Sequence, residues 1–283
     1  MTNLITITND TVEKHGFFCK MSARKTSAWK RKRAWLANRF DEGLQMRLLD
    51  DGERGFIEFT PGDFAWRGVE NASDFMVIHC LWVVGKSKDQ GHAKALLDDA
   101  ETYARKNGFR GIAALTSSGN WIVDRPILET RGYNKVDTAP PGYSLMALPF
   151  DKGASMPRLA GRWDEKAKAL GNGLTVLHSA QCPYLEDAVQ HAKEAACSRP
   201  SHFDIALHVN VRHVHVERGR APGIIDRSAA HMAGNHCAPG AGEPGVRKAQ
   251  APQFRAVGKE PKHRRVYQRS RWVTFHRQPA DGE

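Results

Sequence analysis

Between Val84 and Leu97 the chain reads V-G-K-S-K-D-Q-G-H-A-K-A-L-L, a segment with the parts of a phosphate cradle. Such a site needs backbone N–H groups directed outward and a glycine where a ligand comes too close for a Cβ. It also gains from the positive end of a helix dipole. The run Lys88, Asp89, Gln90, Gly91, His92, Ala93, Lys94 supplies each part. Gly91 opens the backbone, Ala93 keeps the first turn slim, and Lys86, Lys88 and Lys94 surround the place with positive charge. The same residues describe an ordinary strand-to-helix turn with solvated lysines, so the loop alone leaves both readings open.

Two titratable residues stand in otherwise apolar strands. His79 lies within F-M-V-I-H-C-L-W-V-V and by alternation shares a face with Phe75 and Val77. Its intrinsic pKa suits a base or proton relay, and a core histidine bonded to backbone is the plain alternative. Glu58 sits mid-strand in F-I-E-F, where one face of an antiparallel strand is often wet.

The elements that must hold these groups follow from periodicity. Strands are expected at Leu4–Thr8, Leu44–Leu49, Gly55–Thr60, Phe75–Val84, Gly111–Thr116 and Tyr143–Leu148, the fourth buried on both faces. Helices are expected at Thr26–Asp41, with Trp29, Trp35, Leu36 and Phe40 at helical spacing, at Gly91–Lys106 and at Pro126–Arg131. In the second helix Ala95, Leu96, Ala100 and Tyr103 point to the core. Residues 1–150 therefore form one α/β unit. Asp151–Gly171 is a charged connector, and residues 173–207 begin a strand–helix–strand unit.

Beyond position 207 the composition changes. Residues 208–283 contain no leucine and hold fourteen Lys+Arg against six Asp+Glu, whereas residues 1–207 hold 28 against 25. The net charge of +11 thus belongs mainly to the tail. The tail cannot bury enough apolar surface to offset its ordering entropy and is expected to be disordered. Nucleic acid is expected only as a non-specific partner of this tail. The break near Leu207 also raises a disrupted reading frame as its origin, which translation of the other two frames tests.

No apolar run reaches the ~18 residues of a membrane span, and the N-terminus lacks a secretory signal. Five widely spaced cysteines without a C-x-x-C pair fit reduced thiols in a cytoplasm, and no zinc spacing is present.

The spacing K-x-x-G-x-A after a long buried strand resembles the acyl-coenzyme A loop of the GNAT acetyltransferases. Together with F-I-E-F-T-P at 56–61, I-H-C-L-W-V at 78–83 and G-Y-N-K-V-D-T-A-P-P at 132–141, it resembles their YoaP-like members. The resemblance covers about the first 150 residues. It implies an α+β fold with a mixed, mostly antiparallel central sheet flanked by helices. It also implies acetyl-coenzyme A as cosubstrate and an amine of a small molecule or protein as acceptor. In that family the loop wraps the pyrophosphate, the backbone near Leu81 serves the thioester oxygen, and Val83 bonds the pantetheine. Lys88 stands where Gln or Arg is usual. Leu128 stands where many members carry a tyrosine that protonates the departing thiolate.

Attack on a thioester needs a neutral amine. A primary amine of pKa ~10.4 is about 0.04% neutral at pH 7, a cost of about 4.6 kcal/mol, so a base or a desolvating pocket must help. His79 is the candidate base. Glu58 is the second candidate, acting through water or binding a cationic acceptor. Trp66, Trp82 and Trp121 could line a pocket or belong to the core. The segment L-T-V-L-H-S-A-Q-C-P-Y resembles the opening of a thioredoxin-like fold, in which Cys182 would meet a helix N-terminus that lowers thiol pKa. Leu185 occupies the second cysteine's place, so dithiol exchange is not expected, and an inert cysteine is favoured over a one-thiol role. A non-catalytic acyl-coenzyme A sensor remains the alternative to an enzyme.

Overall fold

The apolar run from Phe75 becomes the middle strand of a seven-stranded sheet. The computed structural model describes residues 2–117, 122–140, 142–169, 174–197 and 205–209. The first elements are β1 (Leu4–Ile7), α1 (Val12–His15), α2 (Ser27–Phe40), β2 (Gln45–Leu49), β3 (Gly55–Pro61), β4 (Val69–Glu70) and β5 (Phe75–Val83). Then come α3 (His92–Lys106), β6 (Gly111–Ser117), α4 (Arg125–Glu129), β7 (Asn134–Ala139) and β8 (Tyr143–Pro149). The chain continues with β9 (Arg158–Leu159), α5 (Trp163–Ala169), β10 (Leu174–His178), α6 (Leu185–Cys197) and β11 (Ile205–Val209). The expected tail begins at His208, but His208 and Val209 end β11; the rest of the tail, from residue 210, and Trp121 lie outside the described residues.

The sheet runs β1-β2-β3-β5-β6-β8-β7. Its pairs are antiparallel except β5–β6, which is parallel, so it is mixed and mostly antiparallel as expected. Alternation sends Ile57, Phe59, Met76, Ile78, Ile112 and Ala114 to one face, against Leu96, Leu97 and Ala100 of α3 and Leu128 of α4. The opposite face carries Met46, Leu48 and Phe56 against Trp29, Trp35 and Leu36 of α2. Thr26 caps α2 by accepting from the backbone N–H of Trp29 at 3.4 Å.

Four expectations change. The buried stripe of α3 is Leu96, Leu97, Ala100 and Ala104, rotated slightly from the expected one; Ala95 is only half-buried. β5 is buried on both faces from Phe75 to His79 but half-buried from Cys80 to Val83, because its neighbour leaves it there. β7 was not expected as a strand: it is an edge element whose polar sequence N-K-V-D-T-A carries little alternation. The connector after 150 is structured, since β9 pairs with β4 and α5 follows. Beyond it, β10 and β11 pair in parallel across α6.

The β5–β6 ladder starts with Phe75 opposite Gly111 and ends with Ile78 opposite Ala114. The Phe75 ring lies over Gly111, and a Cβ built there would stand 2.2 Å from a ring carbon. Gly111→Ala is therefore expected to lower stability by about 1–3 kcal/mol through overpacking, read as the urea midpoint. Adding Phe75→Leu should recover part of the loss. An unchanged midpoint for the single variant would show that the ring yields freely.

Candidate active site

Past Ile78 and Ala114, β5 and β6 part. β5 continues with β3 as far as Val83 opposite Gly55, while β6 continues with β8 as far as Ser117 opposite Tyr143. The parting coincides with a bulge. Phe59 faces Ile78 and Glu58 faces Cys80, so His79 is the extra residue on β5 with no cross-strand partner. A bulge of this kind re-aims side chains and increases local twist. It reverses the alternation, because Ile78 and Leu81 both meet the α3 face while Cys80 and Trp82 meet the α2 face.

Glu58 and His79 are brought together on the α2 side. Both are buried, with His79 Nδ1 3.8 Å from Glu58 Oε1, an electrostatic contact rather than a hydrogen bond. Glu58 is not on a wet face. Its Oε2 pairs with the Nζ of buried Lys32 from α2. The Lys32 ammonium lies 4.8 Å from the Trp35 ring centroid and 5.9 Å from that of Phe17. The other carboxylate oxygen accepts from Gln181 Nε2 at 2.8 Å, a donor contributed by the segment between β10 and α6. That segment closes over the site: Tyr184 Oη accepts from the Lys20 backbone N–H at 3.2 Å, and Ala180 packs against the α2 core.

His79 is also framed from the other side. Arg67 Nη2 donates to the His79 carbonyl at 2.5 Å, and the Trp66 ring meets the imidazole edge-on at a centroid distance of 5.8 Å. The Arg67 guanidinium stacks on Trp66 at 5.2 Å. Trp82 instead packs on Phe18 in the α2 core.

The charges decide which group could serve as a base. Burial works against ionisation of Glu58, but its interactions with Lys32 and His79 outweigh that and hold the carboxyl down at about 2. Such a carboxylate is a weak base at neutral pH. Burial pushes His79 below the ordinary histidine value, with partial compensation from Glu58. The imidazole is therefore neutral at pH 7 and keeps a lone pair. Burial pushes the Cys19 thiol up to about 12 and raises Cys80 and Cys182 as well. Cys182 is thus the reverse of the dipole-activated thiol that its C-P-Y setting implied. Among the described residues no group of three His, Cys, Asp or Glu side chains could hold a metal ion.

The glycine loop lies where β5 ends. Gly85–Ser87 makes a 3-10 turn, and buried Ser87 anchors it by accepting from the Arg54 backbone N–H at 2.8 Å. Gln90 Nε2 donates to the Lys86 carbonyl at 2.5 Å. Asp89 has φ +61° and Gly91 has φ +79°. Gly91 is the N-cap of α3 and provides no side-chain cap, so the first-turn N–H groups of His92, Ala93 and Lys94 face outward at the positive helix end. Lys88, Asp89, Gln90 and Lys94 are exposed, whereas His92 is half-buried and lies 3.4 Å from Glu53. Beside this helix start, a cleft of about 360 Å³ is lined by Lys94, Ile127, Thr130 and Arg131. Leu81 and Val83 pack against the α3 face at the parted end of β5. Leu128 is fully buried, and Tyr133 beside it donates its hydroxyl to Glu101 at 3.2 Å.

Sequence reasoning missed Lys32, Arg67 and Gln181. Lys32 had a signal: it lies three residues after Trp29 and three before Trp35, a lysine on an apolar helical stripe. Arg67 and Gln181 lie in irregular segments that meet the site only through tertiary structure.

Comparison with known proteins gives three kinds of likeness. Residues 12–120 match the acetyltransferase (GNAT) family. The chain is 34% identical over 194 residues to the uncharacterized N-acetyltransferase YoaP of Bacillus subtilis, covering 67% of this chain and 76% of that protein. Among solved structures, the PaiA N-acetyltransferase of Thermoplasma acidophilum in complex with coenzyme A is 15% identical. It aligns with 53% of this chain and 99% of its own, with a TM-score of 0.39. An N-acetyltransferase from Staphylococcus aureus Mu50 is 11% identical, with the same coverage and a TM-score of 0.40.

Glu58→Gln is expected to destabilise the protein by about 3–5 kcal/mol, because it leaves the Lys32 ammonium buried without its anion. Urea unfolding measures the loss, and adding Lys32→Met should restore most of it. The pH dependence has a fixed sign. The depressed Glu58 pKa contributes stability above the ordinary carboxylate value of 4.5, and that stability disappears as pH falls toward about 2. Glu58→Gln should flatten the stability profile in that window.

Proposed function

The chain belongs to the GNAT acetyltransferase family, and from that premise we propose how its residues move an acetyl group from acetyl-coenzyme A to an amine of a small molecule or protein. The observation that carries this reading is one strand serving two sites: β5 bears His79 at its bulge and leads straight into the uncapped N-terminus of α3. The α3 first turn and Gly91 receive the pyrophosphate, and Lys88 and Lys94 add positive charge at the rim. The pantetheine follows the gap between β5 and β6, where the backbone of Leu81 and Val83 is no longer paired to β6. The acetyl carbonyl then arrives next to His79.

The acceptor nitrogen attacks that carbonyl, an N–C bond forms, and the C–S bond breaks to release coenzyme A as thiolate. His79 takes the amine proton, which its neutral state allows. Glu58, already neutralised by Lys32, acts through its charge on the imidazole rather than as the base. With leucine at 128 the thiolate is protonated from solvent. A leucine there also favours the second reading, a module that binds acyl-coenzyme A without turnover. Residues 1–150 would form the catalytic unit and residues 173–207 a partial thioredoxin-like unit. The free thiols Cys19, Cys80 and Cys182 fit a reducing cytoplasm.

Calorimetry with acetyl-coenzyme A and thiol release over a panel of amines separate the readings: binding without turnover on any amine leaves the sensor. Gly91→Val is expected to weaken acetyl-coenzyme A binding at least about tenfold, since it strains a left-handed residue and fills the anion's place. Unaltered affinity would remove the loop from the cofactor site.

His79→Gln should lower kcat by about 10²–10⁴ without changing cofactor affinity. In the parent enzyme kcat/KM should fall as pH drops through a value below the ordinary 6.5 of histidine. That limb should vanish in the variant. Its persistence would assign the base elsewhere.

A further inference from the structure

Among the described residues, buried cations come with a carboxylate, with one exception. Lys32 has Glu58, Arg39 has Glu42 at 3.0 Å, Arg47 has Asp99 at 3.0 Å, and Lys166 has Glu70 at 3.7 Å. Arg67 is only 9% exposed, and no carboxylate among the described residues pairs with it. Its one described hydrogen bond goes to the neutral His79 carbonyl. Glu58 attracts it but is already matched by Lys32. The other groups that interact with its charge include two thiols, Cys80 and Cys182, and the Tyr143 phenol, none of them a carboxylate. Leaving a guanidinium in the interior without an anion is costly, because its hydration is lost and nothing replaces it.

Unused polar groups collect at the same point. The Arg67 Nε and Trp66 Nε1 donors, and both ring nitrogens of His79, one donor and one acceptor in the neutral imidazole, are buried without a hydrogen-bond partner among the described residues. Arg67 and Trp66 are adjacent in sequence, and the guanidinium lies 5.2 Å from the indole ring centroid. The same indole ring borders the imidazole, 5.8 Å from it between ring centroids. Orphaned buried donors around an unbalanced cation describe the complement of an anion. In the acetyltransferase reading the oxyanion of the tetrahedral intermediate is served by the backbone near Leu81, which leaves these donors to another anion.

We propose that Arg67 and Trp66 form a carboxylate subsite next to His79, and that the acceptor is an amine carrying a carboxylate, of the amino-acid class. This rests on the acetyltransferase reading above. The carboxylate accepts from Arg67 Nε and Trp66 Nε1, and the amine, a few bonds away, falls beside the imidazole. Arg67 acts in specificity and not in proton transfer. Charge complementarity also orders the acceptors: with Glu58 neutralised by Lys32, the pocket is net positive and disfavours simple alkylammonium ions.

The test uses the full chain, acetyl-coenzyme A, and the common amino acids, each beside its amide and its decarboxylated amine. Thiol release should show kcat/KM about ten- to a hundredfold higher for the acids. Arg67→Met should erase this preference, raising KM for the acids by a similar factor beyond whatever change it causes for the amides. An equal fall in kcat for every acceptor, or no preference for acids in the parent protein, overturns the subsite. A second measurement on the parent protein needs neither turnover nor the variant. The Trp66 indole N–H resonance, assigned with Trp66→Phe, is followed by NMR during titration with the same acids and amides. A shift with acids alone supports the subsite even where no acetyl transfer occurs, a result that would count against the transferase reading only. No shift with any acid overturns the proposal.

Discussion

A carboxylate at 0% exposure in the middle of a sheet sets the terms for everything around it. Ionised Glu58 persists there only because three elements converge on it: Lys32 from α2, the imidazole of His79 from β5, and the Gln181 amide from the segment before α6. Each of these has to be held by its own surroundings. Lys32 needs the aromatic walls of Trp35 and Phe17, so α2 must present its apolar stripe at one rotation against the sheet. Buried ion pairs of this type add little net stability over apolar packing, yet breaking one is expensive. The pair therefore acts as a constraint on register.

The second constraint is the extra residue in β5. One unpaired position moves Cys80 and Trp82 to the α2 face and turns Leu81 and Val83 toward α3. The ladder to β6 stops at the same place. The placement of the side chains on the two faces of the strand thus derives from a single local event. The glycine loop completes the arrangement from the end of the strand, with a left-handed Gly91 turning the chain into α3.

Much of this was legible in the order of residues. Long periodic elements such as α2, α3 and β5 were placed within a residue or two, since alternation and helical spacing are strong signals there. The polar edge strand β7 escaped because a strand with one neighbour and an exposed surface carries no apolar pattern. His79 and Glu58 were visible as titratable residues in apolar runs, but their mutual proximity depends on the bulge, which periodicity does not encode. For Cys182 the plain reading of an inert cysteine fits: a helix start lowers a thiol pKa in solvent, whereas here burial dominates.

The Gln181 bond to Glu58 joins residues separated by 123 positions. Translation at about 5–20 residues per second places roughly six to twenty-five seconds between the synthesis of the two partners. During that interval the sheet can assemble with Lys32 in place while one oxygen of its central carboxylate has only water to accept from. The last donor to the central carboxylate thus comes from a segment made after the sheet itself.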